Sequence, residues 1–263
     1  MKPVALHEML GENFFARVTA AQFNGLTKRY RNQDAAKDVS LDTLSDEQWQ
    51  SYFGAFTPFP DSFKTPLALC YHGHQFGIYN PEIGDGRGFL YAQLREDTTN
   101  RLLDLGTKGS GTTPFSRSGD GRLTLKGAVR EILASEYLNA LSVNSCKILS
   151  VFETEEQLHR NDEPSPTRAA VLVRLSHSHI RIGSFQRLAY LNQPQEILTL
   201  ARYAARYYYP DIDPESPSEA LLLALLEAII ICVAEMVAGW MASGFVHGVL
   251  NTDNFNLTGE SFD

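Results

Sequence analysis

Cysteine is scarce in this chain: three residues in 263, Cys70, Cys146 and Cys232, an odd number with no CxxC pair. Such usage excludes a disulfide framework and a cysteine-rich zinc site, and it reads as reduced thiols in a cytosolic protein. Positive charge is also in short supply. Lys and Arg number 23 against 31 Asp and Glu, for a formal net charge of −8. A general nucleic-acid binder needs clustered cations, so nucleic acid is not expected as a partner, although an acidic chain can still hold a local basic pocket. The first residues, Met1-Lys-Pro-Val-Ala-Leu-His-Glu8, have neither the apolar stretch of a signal peptide nor the arginine-rich character of a transit peptide. A cytoplasmic location is expected. No internal repeat or low-complexity tract is evident.

Long uncharged apolar runs are absent too. Residues 220–246 come nearest, but Glu227 and Glu235 interrupt them. A spanning helix needs about 20 largely uncharged apolar residues, and ionised groups near its middle are costly. Pro214 and Pro217 precede the run, Ser218 is placed to cap it, and Gly244 closes it. The run is therefore expected to be a buried core helix, with no membrane partner.

What is present supports a sizeable core, since 43% of the residues are hydrophobic. Residues 45–55 predict a helix, followed by a loop rich in Phe and Pro over 56–66. Short β-type runs follow at 89–94, 102–105, 147–152 and 169–175. A helix over 124–141 interrupts them, with Ala128, Ile132 and Leu133 facing inward. The charged, proline-containing segment 153–166 is expected to be a surface loop. From about residue 195 the pattern is helical, first over 197–209 and then in the long apolar run. Strands first and helices later predict an α+β fold. The expected division is an N-terminal extension over 1–66, a sheet-containing lobe over 67–190 and a helical lobe over 191–263.

Two turns share the letters Gly-Asp-Gly-Arg: Gly84 to Arg87 before a strand, and Gly119 to Arg122 before a helix. Glycine lets backbone N–H groups form a concave nest for phosphate, and a following helix adds its positive end. Neither turn fits a Walker A loop or the GxGxxG dinucleotide fingerprint, and either alone reads as a tight turn. Lys108 ends a β-like run and Glu131 falls on the next helix, an arrangement by which kinase folds hold an ammonium against nucleotide phosphates. Alternation on the strand that holds Val171, Val173 and Leu175 sends Arg174 to the opposite side, while Arg181 precedes a glycine turn. Guanidinium groups near glycine loops suit bidentate phosphate recognition. Near the end, Asp253 and Asn254 are adjacent and Asp263 follows, all hard oxygen donors suited to a divalent metal on nucleotide phosphates.

Together these segments resemble the selenoprotein O family. The resemblance runs in one order through Tyr71-His-Gly-His-Gln-Phe-Gly77, Gly84-Asp-Gly-Arg87, Lys108-Gly-Ser-Gly-Thr-Thr-Pro-Phe-Ser-Arg117 and Gly119-Asp-Gly-Arg122. It continues through Val129-Arg-Glu131, Arg174-Leu-Ser-His-Ser-His-Ile-Arg181 and His247-Gly-Val-Leu-Asn-Thr-Asp-Asn254. It implies a protein-kinase-like fold of two lobes, with a helical C-lobe that stops at the metal-binding Asp. It also implies a protein adenylyltransferase that moves AMP from ATP to Ser, Thr or Tyr hydroxyls of proteins, with UMP transfer a further activity, and Mg2+ or Mn2+ as the cofactor. Carried over by motif, Asp253 is the proton acceptor, Glu131 the helix partner of Lys108, and Asn254 and Asp263 the metal ligands. Gly84, Gly86, Arg87, Lys108, Asp120, Gly121, Arg174 and Arg181 become nucleotide contacts, with Asp263 joining them through the metal. Two other readings stay open. One is a truncated, inactive nucleotide-binding pseudokinase module. The other is a metallohydrolase built on the pairs His72-x-His74 and His177-x-His179.

Overall fold

The computed structural model describes residues 1–260. Three short strands come first, β1 (Pro3–Val4), β2 (Phe15–Arg17) and β3 (Thr27–Arg31), then helices α1 (Gln33–Lys37) and α2 (Asp46–Phe53). Strand β4 (Leu67–Leu69) leads into a separate hairpin, β5 (Gly73–Gln75) and β6 (Ile78–Asn80). Next come β7 (Leu90–Arg95), β8 (Leu102–Lys108), β9 (Leu123–Thr124) and helix α3 (Leu125–Ala140). The long strands β10 (Lys147–Leu158) and β11 (Thr167–Ser176) precede α4 (Gly183–Tyr190), α5 (Pro194–Tyr208) and α6 (Ser218–Ser243). The expected α+β architecture is present: a nine-stranded sheet in the order β2-β4-β7-β8-β11-β10-β3, with β1 on β7 and β9 on β11.

Each sheet face is sealed by its own helices. On β11, Val171, Val173 and Leu175 join Trp49 and Phe53 of α2 in one buried cluster. Ala170 and Leu172 join Ala128 of α3 on the other face. Helix α2 starts at residue 46 because Ser45 and Gln48 form a reciprocal capping box, with Gln48 N donating to Ser45 Oγ at 3.2 Å and Ser45 N to Gln48 Oε1 at 2.9 Å. A third cluster unites α5, α6 and the N-terminal Phe14 and Phe15 below the sheet.

Four local expectations need correction. The segment expected to be a surface loop from residue 153 is strand as far as Leu158, so β10 and β11 form a long hairpin. Its charges are tolerated because they pair: Glu153 takes Arg168 and Arg29, each at 2.6 Å. Leu133 is 65% exposed instead of facing inward, since α3 buries the face that carries Ala128, Ser135 and Leu138. Ser218 is the first helical residue of α6, and Pro217 occupies the cap position. Most consequentially, α6 is not buried all round. Leu221, Leu225, Ile229, Met236 and Trp240 form its one inward stripe, while Leu223, Leu226, Ile230 and Ile231 are half exposed or more. By length and composition alone, α6 is long and apolar enough to cross a membrane.

Candidate active site

The register of β8 against β11 sets Lys108 opposite Leu172 and Gly106 opposite Arg174. All four positions therefore face the side covered by α3. There Glu131 meets both cations, accepting from Lys108 Nζ at 2.6 Å and lying 3.4 Å from Arg174 Nη2. Lys108 and Arg174 are buried and Glu131 is largely so. A carboxylate that bridges two cations holds both side chains in place and offsets part of their burial cost. Lys108 and Arg174 also line a cleft of about 620 Å³, along with Gly84, Gly86, Arg87, Asp120, Gly121, Arg181, Asp253 and Asn254. Ten of the twelve residues expected to act together thus share one cavity. Glu131 stands behind the wall, and Asp263 lies outside the described residues.

The two Gly-Asp-Gly-Arg turns form opposing lips of this cleft, tied together by the segment between them. Thr113 donates to the carbonyl of Asp85 at 2.5 Å, Ser116 donates to that of Gly86, and the Phe115 ring covers Gly84. Gly121 has φ +69, and a Cβ there would sit 2.2 Å from the carbonyl carbon of Gly111. Glycine is required at this contact on both counts. The Arg87 side chain is exposed at the mouth.

Asp253 is positioned from outside its own loop. The β5–β6 hairpin passes so close that a Cβ on Gly73 would lie 2.2 Å from Asp253 Oδ1, and His74 N donates to that oxygen at 3.3 Å. Arg181 donates from Nη1 to the Asp253 carbonyl at 2.5 Å, stacks its guanidinium over the Tyr71 ring and reaches Asp85 at 3.8 Å. Asn254 donates its amide nitrogen to the Val249 carbonyl at 3.0 Å, which leaves its amide oxygen as the acceptor. Together with the Asp253 carboxylate, that oxygen is a donor of the hard type that Mg2+ or Mn2+ takes.

One carboxylate and an arginine in the cleft, and a second carboxylate behind its wall, escaped the motif reading. Burial pushes the Asp85 carboxyl above the usual range, against the pull of Arg181 and of the Leu69 N–H, which donates to it at 3.0 Å. Asp104, behind the wall and accepting from Gln93 Nε2 at 2.7 Å and His179 N at 2.8 Å, is pushed by burial to about 7. Arg160 reaches the cleft from the β10–β11 hairpin and grips Asp120. For Asp85 a signal existed, since it sits inside a Gly-Asp-Gly turn.

The histidine pairs do not assemble a metal site. His179 packs its ring where a Gly106 side chain would be and bonds Ser176 at 2.9 Å. His177 stands edge-on to Tyr208, and burial lowers its pKa to about 4. His72 bonds the Tyr79 hydroxyl at 2.8 Å, and His74 sits edge-on to the same ring. Among the described residues, no three His, Cys, Asp or Glu side chains are grouped to hold a metal. The metallohydrolase reading loses its basis.

A family model described as "Protein adenylyltransferase SelO" matches residues 3–263. The chain belongs to the SelO family. A protein nucleotidyltransferase YdiU of Trichormus variabilis is 51% identical over 258 residues, covering 97% of this chain and 52% of the relative. The YdiU of Synechocystis sp. is 49% identical over 258 residues, with 97% and 53% covered. That of Shewanella denitrificans is 42% identical over 232 residues, covering 88% and 43%. The chain thus spans about half the length of the curated SelO-family relatives it matches.

Proposed function

We propose that this chain carries the nucleotide-binding cleft and catalytic loop of a protein adenylyltransferase, which moves AMP from ATP to a Ser, Thr or Tyr hydroxyl of another protein. The observation that carries this reading is the convergence of Lys108, Arg174, Arg181 and Asp253 on one cleft between two glycine turns. The sheet followed by helices is read as the two-lobe, kinase-like arrangement of that family, acting in the cytoplasm. UTP is a second nucleotide of the same charge and is taken as an alternative donor.

The chemistry follows from the side chains. The acceptor hydroxyl oxygen attacks the α-phosphorus, the bond from that phosphorus to the bridging oxygen breaks, and pyrophosphate leaves. Charge on the departing pyrophosphate needs fixed cations, and Lys108, Arg174, Arg181 and Arg87 supply them. Asp253 takes the hydroxyl proton, a role worth about 10²–10⁴-fold. Gly73 and His74 hold its carboxylate, while Arg181 anchors its backbone. Asn254 and Asp263 are the proposed ligands of Mg2+ or Mn2+, which when bound neutralises and orients the phosphates.

The test is transfer of label from α-labelled ATP to candidate acceptor proteins by the chain and by Asp253→Asn. Labelling by the parent and a loss of at least about 10²-fold in the variant are expected. Equal labelling by both would remove Asp253 from the mechanism. Stabilisation by Mg-ATP with no label transferred from the parent would instead favour an inactive nucleotide-binding module.

A further inference from the structure

The β10–β11 hairpin brings a cation to the cleft that no motif marked. Three ion pairs tie its outer part to the second glycine turn and the start of α3. Glu156 takes Arg122 at 3.0 Å, Glu163 takes Lys126 at 3.4 Å, and Arg160 forks onto Asp120 with Nη1 to Oδ2 at 2.8 Å and Nη2 to Oδ1 at 3.0 Å. The tip itself is pinned by Ser165, whose hydroxyl accepts from Arg160 N at 2.8 Å and donates to the Arg160 carbonyl at 3.0 Å. The Arg160 backbone is thereby held, and its side chain lines the cavity that Lys108, Arg174 and Arg181 also line.

This pairing resolves an electrostatic conflict. Asp120 is a carboxylate on the wall of a cleft read as binding a polyphosphate, and it would repel that anion if left bare. Burial pushes its carboxyl upward, but the Arg160 fork and the Arg122 amide outweigh burial and keep it below the usual range. An ionised Asp120 therefore needs its guanidinium partner. A guanidinium has five donors; two are used on Asp120 and a third, from Nη1, on the His159 carbonyl at 3.0 Å, so the Nε hydrogen and one on Nη2 remain for a phosphate oxygen in the same cavity.

We propose that Arg160 is a further nucleotide-contacting residue, delivered by the β10–β11 hairpin and held ready on Asp120 to grip the polyphosphate. The proposal rests on the nucleotide reading of the cleft given above. Losing a charge-assisted contact of this kind weakens binding by roughly 10- to 100-fold.

The experiment is titration of the 263-residue chain with a fluorescent ATP analogue in the presence of Mg2+, for the parent, R160Q, D120N, D120N/R160Q and E163Q. The expected result is that R160Q binds at least about tenfold more weakly, that D120N/R160Q remains well below D120N, and that E163Q binds like the parent. Parent-like affinity of R160Q overturns the proposal. So does equality of D120N/R160Q and D120N, because Arg160 would then act only as a counter-charge. Loss of affinity in E163Q equal to that in R160Q also overturns it, because hairpin placement alone would be responsible. If R160Q fails to fold, R160K, which keeps the charge but loses the fork, is measured in its place. A parent chain that does not bind the analogue defeats the nucleotide reading itself, an outcome distinct from all of these.

Discussion

At the scale of single residues, the decisive contact is one that a missing side chain permits. Gly73 lets the hairpin backbone lie against Asp253, and any Cβ there would displace the carboxylate. Gly73→Ala is therefore expected to lower label transfer by roughly 10²-fold, since a misplacement of about 1 Å is enough for that loss. Its affinity for the nucleotide should stay near that of the parent, because Lys108 and Arg174 are held by Glu131 on a different element. Equal losses in transfer and in affinity would show that Gly73 serves the fold and not the alignment of Asp253. That Lys108, Arg174, Arg181 and Asp253 belong together was legible in the sequence, from glycine turns beside Lys108 and Arg181, strand alternation at Arg174 and the family resemblance at Asp253. Asp85 and Arg160 were harder, since an acid or a cation acquires such a role only from what tertiary contact sets beside it. The same holds for His179, whose ring fills space that Gly106 leaves open.

At the scale of elements, apolar composition proved a poor guide to burial. Helix α6 is apolar nearly all round, so its sequence gives no period from which an inward face could be read. The structure selects Leu221, Leu225, Ile229, Met236 and Trp240, and leaves Leu226 and Ile230 exposed. Leu225→Ala should accordingly cost about 2–5 kcal/mol in chemical denaturation, the usual range for a buried Leu. Lys substitutions at Leu226 and Ile230 should leave the melting temperature almost unchanged and reduce concentration-dependent association in light scattering. A large destabilisation from the Lys pair would mean that this face is covered in the isolated chain. The β10–β11 hairpin misled in the opposite sense. Its charged second half reads as loop, yet cross-strand pairing of Glu153 with Arg168 makes it strand. In contrast, α2 lies within the range 45–55 expected for it, and the Ser45–Gln48 capping box that sets its start is local and needs nothing distant.

At the scale of the whole molecule, His7 ties the first residues to the helical part. Its backbone N–H donates to Gln93 Oε1 at 2.8 Å on β7, and its ring lies 5.9 Å from both Phe15 and Tyr203. Both ring nitrogens are buried without hydrogen-bond partners, and burial lowers the pKa to about 3. A depressed folded pKa means that the stability is present above the unfolded value near 6.5 and is lost as pH falls toward 3, since only the unfolded chain takes up the proton. His177, lowered to about 4, acts in the same direction, whereas Asp104, raised to about 7, loses its contribution as pH rises. Those two groups remain in a His7→Phe variant and cancel from the difference between variant and parent. Phe keeps the aromatic packing and cannot titrate. The stability of His7→Phe relative to the parent should therefore improve by about 2 kcal/mol between pH 8 and pH 5, as 1.5 units below the unfolded pKa requires. Denaturant titrations at the two pH values provide the measurement. Parallel stability curves would show that the His7 ring reaches solvent, and that the join between the N-terminus and α5 is looser than the packing implies.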